Sequence, residues 1–208
     1  MRLPRFYPII DTAFLAKRGI EPEDLAQSLA AAGVRIAQFR HKGPYTRDAL
    51  AQAERVGRII KGAGAMYVMN DRADIALMAG ADVVHIGQGD LPPEAVRRIV
   101  GSGVAVGFST HNEEQLRSGD REPVDYLAFG PVFGTASKQN PDPTVGVEEL
   151  ARLRPLTRKP LVAIGGITRA NVRQVFEAGA DSVAVISDLV GDDLSGRIAE
   201  WLDLTTAN

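Results

Sequence analysis

The sequence predicts a (β/α)8 barrel, a TIM-type α/β fold, from three observations. Short apolar runs recur eight times, segments of helical periodicity separate them, and one local sequence repeats half a barrel apart. Strict strand–helix alternation gives a parallel sheet, and eight units permit its closure. The 208 residues lie at the short end for such a barrel and favour one catalytic domain over residues 1–208.

The strands are expected at Phe6–Asp11, Arg35–Arg40, Met66–Asn70, Val83–Gly87, Val104–Ser109, Tyr126–Gly130, Leu161–Gly165 and Ser182–Ser187. Their nearly continuous apolar character suits strands buried on both faces. Leu25, Leu29 and Ala32 mark the first helical face, and Leu50, Ala53, Val56 and Ile60 the second. Further helices are expected at Ala73–Ala79, Ala95–Ile99, Glu113–Arg117, Glu148–Leu153, Ala170–Ala178 and Leu194–Trp201. The helix around Glu113 has the weakest apolar face. Ala79-Gly80-Ala81-Asp82 precedes the fourth strand and Ala178-Gly179-Ala180-Asp181 the eighth, each glycine standing where a left-handed C-cap is expected. An open dinucleotide-binding sheet should carry a Gly-rich turn after its first strand, and Ile10-Asp11-Thr12 is no such turn.

Composition narrows the function classes. A net charge of −2 gives no basic excess for nucleic acid, although local cations can still bind phosphate. The chain has no cysteine, which removes disulfides, thiolate metal sites and a cysteine nucleophile and fits a cytoplasmic protein. No apolar run is long enough to span a membrane, and the N-terminus reads as a strand rather than a signal peptide. The sequence leaves homo-oligomer formation open.

The active site of a barrel lies at the C-terminal strand ends. Gln38, Arg40 and Lys42 alternate onto one side of the second strand, an amide and two cations able to converge on a polyanion. A solvated basic turn is the plainer reading. Asp71 and Asp90 follow the third and fourth strands, and two carboxylates beside phosphates suit magnesium. Each is also placed to cap the helix that follows. Ser109-Thr110-His111 ends the fifth strand without a Gly-x-Ser-x-Gly elbow, so Ser109 reads as a substrate contact and His111 as structural. Gly165-Gly166 ends the seventh strand, where backbone N–H groups favour an anion, with Thr168 as a helix cap. His41, His85 and His111 lack zinc-site spacing. The long segment Gly130–Gly146, with Lys138, is a candidate active-site loop.

Gln38-Phe39-Arg40-His41-Lys42, Asn70-Asp71, His85-Ile86-Gly87-Gln88-Gly89-Asp90, Ser109-Thr110-His111, Gly130–Lys138 and Ala163-Ile164-Gly165-Gly166-Ile167 together resemble the thiamine phosphate synthase family. The matches keep family order as far as Ile186-Ser187 and cover most of the chain. The Gln88-Gly89-Asp90 segment and the Thr135-x-Ser137-Lys138 loop are specific, whereas a Gly-Gly turn alone is not.

The resemblance implies coupling of hydroxymethylpyrimidine diphosphate to a thiazole phosphate, with release of pyrophosphate through a pyrimidine carbocation. It implies Asp71 and Asp90 as ligands of Mg2+, and Arg40, Lys42, Asn70 and Lys138 as diphosphate binders. It implies Gln38 and Ser109 as pyrimidine contacts. Thr135, Ser137, Gly166, Ile186 and Ser187 would hold the thiazole phosphate. His41 stands where the family commonly has an acidic residue, and Gly134 and Ser137 replace frequent proline and threonine. These departures bear on affinity rather than reaction type. A related thiazole tautomerase and a non-catalytic thiazole or thiamine phosphate sensor are the alternatives. A Schiff-base aldolase is disfavoured, because Tyr126–Gly130 offers no interior lysine.

Overall fold

The computed structural model describes residues 1–134 and 143–206. Eight parallel strands close into a barrel in sequence order. They are β1 (Phe6–Asp11), β2 (Ile36–Arg40), β3 (Met66–Asn70), β4 (Val83–Ile86), β5 (Ala105–Thr110), β6 (Tyr126–Phe129), β7 (Leu161–Ile164) and β8 (Ser182–Val185). Closure comes from β1 pairing with β8, with Phe6 opposite Val183 and Tyr7 opposite Ala184. Around them run α1 (Thr12–Ala16), α2 (Pro22–Ala31), α3 (Arg47–Gly62), α4 (Ala73–Met78) and α5 (Pro93–Val100). The ring continues with α6 (Glu113–Arg121), α7 (Gly146–Leu153), α8 (Val172–Glu177) and α9 (Leu194–Thr206). No helix among the described residues is long and apolar enough to cross a membrane.

Local chemistry explains where the helices start and stop. Proline opens α2, followed by Glu23 and Asp24 in the first turn, where the helix dipole favours negative charge. Thr46 caps α3 by accepting from Ala49 N–H. The weakly patterned α6 exists because Asn112 caps it and two glutamates follow, while Leu116 supplies its buried anchor. Gly80 and Gly179 adopt φ of 64° and 97°, as the repeated tetrapeptide predicts.

Two differences from the sequence reading matter for the site. Helix α1 was not expected; Asp11 nucleates it by accepting from Phe14 N–H at 2.8 Å. The last strand ends at Val185 rather than Ser187, because Ser187–Leu189 turns into a 3-10 helix at the barrel mouth. Of the other strands, β1 and β3 have the expected bounds, and the ends of the rest shift by at most one residue, within the ordinary uncertainty of boundaries.

Two apolar layers hold the fold. Phe6, Ile10, Phe39 and Met69 face outward into the sheet–helix core, where the Phe6 ring stacks on buried Trp201. Their strand neighbours Tyr7, Ile36, Val68, Tyr126 and Val162 fill the barrel interior. Tyr67 ties the outer layer together: its hydroxyl donates to Ala53 carbonyl at 2.7 Å while its ring passes over Gly57. Tyr67→Phe leaves the ring packed but removes that buried bond. It is expected to cost about 1 kcal/mol in urea unfolding; a loss under a few tenths would discount the bond.

Candidate active site

At the C-terminal end of the barrel the inward side chains change from apolar to polar, because successive inward positions climb toward solvent. On β2 the series is Ile36, Gln38, Arg40; on β3, Val68, Asn70; on β4, Val83, His85. The polar groups surround a cavity of about 460 Å³, large enough for a small-molecule substrate. Gln38, Arg40, Lys42, Asn70, Asp71, Asp90 and Ser109 all line it. Gly166, Ile186 and Ser187 line its opposite side. Thr135, Ser137 and Lys138 lie outside the described residues.

The basic side is not a solvated turn. Arg40 pairs with Asp11, its in-register neighbour on β1, and both side chains are largely withdrawn from solvent. Asp11 thereby does two jobs, capping α1 through Oδ1 and fixing the guanidinium through Oδ2. Sequence reasoning missed it, since its partner is 29 residues away. Lys42 Nζ meets Asp71 Oδ2 at 2.5 Å and stays half exposed. His41 points elsewhere, held by Thr12 Oγ1 at 2.9 Å, so the three histidines do not converge.

Neither carboxylate caps a helix, which corrects that part of the sequence reading. Helix α4 starts from Arg72 and α5 from Pro92, both without a side-chain cap bond. Asp71 instead adopts φ 65°, an uncommon conformation pinned by its N–H donating to His85 carbonyl at 2.7 Å. Asp90 folds back over the Gly87–Asp90 turn, where its Oδ2 accepts from Gly87 N–H at 2.7 Å. Burial, then the nearby charge of Asp71, push the Asp90 carboxyl above its ordinary range, against the lowering pull of the Gly87 N–H. Beside them, Asn70 Nδ2 is buried with no hydrogen-bond partner among the described residues. Crowded carboxylates and an orphaned amide both call for a ligand: a cation for the first, an acceptor for the second.

The far wall carries a polar chain that sequence reasoning did not see. Ser109 faces His85, not its neighbour His111: Ser109 Oγ lies 2.9 Å from His85 Nε2. His85 Nδ1 is 2.9 Å from the Tyr126 hydroxyl, which is 3.0 Å from that of Tyr7. Gln38 Nε2 donates to the Tyr7 hydroxyl at 2.9 Å. His111 also lines the cavity, its Nδ1 lying 2.6 Å from Gly130 carbonyl.

The glycine turn after β7 is both tight and close-packed. Gly165 and Gly166 have φ of 97° and 61°. A Cβ on Gly166 would stand 2.4 Å from Gly134 carbonyl oxygen. Asn171 Nδ2 braces the turn by donating to Gly166 carbonyl at 3.0 Å. Thr168 is not the side-chain cap that was expected; α8 starts from Asn171, and Thr168 N–H donates to Asn171 Oδ1.

The sequence model of the thiamine monophosphate synthase family matches residues 6–189, from the start of β1 to the turn after β8. A thiamine-phosphate synthase from Koribacter versatilis is 48% identical over 209 residues, covering 98% of this chain and 97% of its own. One from Methanoculleus marisnigri is 45% identical over 175 residues, covering 84% and 83% respectively. Among solved structures, thiamine phosphate pyrophosphorylase from Pyrococcus furiosus superposes with a TM-score of 0.86 at 27% identity, over 98% of this chain and 96% of that one. The matched span contains both carboxylates, both cations and the glycine turn, and the chain belongs to the thiamine monophosphate synthase family of transferases.

Proposed function

We propose that this barrel couples hydroxymethylpyrimidine diphosphate to a thiazole phosphate, forming thiamine phosphate and pyrophosphate. One observation carries the reading: Asp71, Asp90, Arg40, Lys42 and Asn70, whose Nδ2 has no partner among the described residues, meet at one side of a cavity. That set suits a diphosphate accompanied by a divalent cation.

Magnesium fits these residues. Among the described residues no three carboxylate or imidazole groups gather into a metal cage. Two carboxylates suffice for magnesium when substrate phosphate and water oxygens complete its coordination. Asp71 and Asp90 would hold it, and when bound it supplies positive charge that stabilises a departing pyrophosphate.

The chain's own residues account for the remaining steps. Arg40, Lys42, Asn70 and Lys138 hold the diphosphate and neutralise charge as the carbon–oxygen bond breaks. The bonding pair leaves with pyrophosphate, and the ring's amino group stabilises the carbocation left behind. Gln38 and Ser109 orient that ring above an apolar floor of Ile9, Ala128, Val162 and Ala184, which keeps competing water away. Thr135, Ser137, Gly166, Ile186 and Ser187 hold the thiazole phosphate so that its ring nitrogen attacks the cation. No protein nucleophile is required.

The decisive assay supplies both substrates and magnesium and measures pyrophosphate release, with product mass checked. Thiamine phosphate that disappears on chelation is expected. Folded, saturated protein that makes none would overturn the reading and favour the tautomerase or the sensor. Within the reading, Gly166→Ala should raise KM for thiazole phosphate about tenfold, because the new methyl collides with Gly134 and the turn must move. An unchanged KM would remove Gly166 from the phosphate site.

A further inference from the structure

We propose that the chain Gln38–Tyr7–Tyr126–His85–Ser109 sets the hydrogen-bond polarity of the pyrimidine pocket, selecting an aminopyrimidine over its oxo counterpart. This inference rests on the functional reading above and makes Tyr7 and Tyr126 positioning residues within it.

The five groups cross the barrel from β2 through β1, β6 and β4 to β5, each link spanning 2.9–3.0 Å. A hydroxyl has one hydrogen to give, and a neutral imidazole donates from one nitrogen while accepting at the other. Tyr7 already accepts from Gln38 and its own hydrogen is buried, so the arrangement that gives every buried hydrogen an acceptor runs in one direction along the chain. Gln38 Nε2 donates to Tyr7. Tyr7 then gives its hydrogen to Tyr126, and Tyr126 gives its own to His85 Nδ1. His85 Nε2–H donates to Ser109, whose hydrogen is left for the cavity. Gln38 keeps its carbonyl oxygen as an acceptor.

The two ends of the chain thus offer the cavity an acceptor, at Gln38, and a donor, at Ser109. The edge of an aminopyrimidine carries the complementary pair, an amino donor beside a ring-nitrogen acceptor. The oxo form reverses both, presenting a carbonyl acceptor and a ring N–H donor. Accepting it would require every hydrogen in the chain to reverse and the Gln38 amide to flip.

The barrel is built around this chain. Gly107 on β5 stands between His85 and Tyr126 in register. A Cβ there would lie 2.1 Å from Tyr126 Cζ and 2.4 Å from its hydroxyl, so the missing side chain is the passage by which Tyr126 reaches His85. The Tyr126 ring stacks on the imidazole at 5.5 Å. Tyr7 and Tyr126 are 1% and 0% exposed, so phenylalanine would fill both positions equally well; only the chain uses the hydroxyls. Burial holds both phenols well above their ordinary range, so each keeps its hydrogen.

The test is calorimetric binding, with magnesium and without thiazole phosphate, of hydroxymethylpyrimidine diphosphate and its deaminated, oxo-bearing analogue. The parent protein is expected to prefer the amino form by about a hundredfold. Tyr126→Phe and, as a second route, Tyr7→Phe should each cut that preference about tenfold. Affinity for inorganic pyrophosphate, which reports an intact fold and diphosphate site, should not change. The 15N shifts of His85 should also move in Tyr126→Phe, since Nδ1 loses its donor. An undiminished preference in both variants, with pyrophosphate still bound, overturns the inference and leaves the functional reading intact. A parent protein that binds neither pyrimidine diphosphate overturns the functional reading and this inference with it.

Discussion

Asp90→Ala is expected to lower the coupling rate about a thousandfold in a protein that remains folded. The size follows from the chemistry. In the proposed reaction pyrophosphate leaves with a full electron pair and no covalent intermediate forms, so the step depends on charge stabilisation to reach the transition state. Asp90 sits on a turn at the mouth, where its side chain is held by Gly87 N–H. Asp90→Asn keeps an oxygen for that bond, separating the loss of charge from the loss of the turn. The two readouts should then diverge. Because burial and Asp71 raise the Asp90 pKa in the folded state, its stabilising contribution is fully present below the unfolded pKa. It is lost as pH rises through the folded value, and above that the carboxylate costs stability. Metal-free Asp90→Asn should therefore melt no lower than the parent at neutral pH while being far less active. Magnesium with pyrophosphate should raise the melting temperature of the parent and leave that of the variant nearly unchanged. A folded variant with normal magnesium-dependent turnover would remove Asp90 from the site.

The barrel was legible because its signals are local. Each strand is a short apolar run, and each helix carries its own face, cap or terminal glycine. The cavity-lining residues at strand ends were legible for the same reason, once the fold class named the functional end. What stayed hidden depends on register and closure. Asp11 reads as the polar end of a strand; that it fixes Arg40 follows only from Asp11 facing Arg40 in the β1–β2 ladder. Tyr7 and Tyr126 read as buried aromatics, yet they are 119 residues apart and meet only inside a closed barrel. Asp71 and Asp90 satisfied the composition rule for caps, but the backbone of Asp71 turns left-handed and Pro92, not Asp90, precedes α5. Helix α1 was missed because five residues are too few to show a periodic face, although Asp11 at its cap position was an available signal.

Arg40 is where fold and chemistry are most tightly joined, and separating them is the second large prediction. Arg40→Ala is expected to reduce coupling at least a hundredfold and to cost about 3 kcal/mol of stability. The stability loss comes from Asp11, 5% exposed at its side chain, which would be left buried without its partner. Adding Asp11→Asn removes that stranded charge while retaining an oxygen that can still accept from Phe14 N–H and hold the start of α1. The double variant should thus recover most of the unfolding free energy, measured by denaturant, and none of the activity. Non-additivity of this kind is what a contacting charge pair produces and what two independent sites do not. If the double variant regained turnover, the guanidinium would be a prop for Asp11 rather than a ligand for diphosphate. If it stayed as unstable as Arg40→Ala, the loss would come from packing of the arginine stem, and the ion pair would be incidental to the fold. Recovery of stability without activity assigns the pair its role: Asp11 holds the guanidinium in place on β2, at the lining of the cavity where a diphosphate would bind.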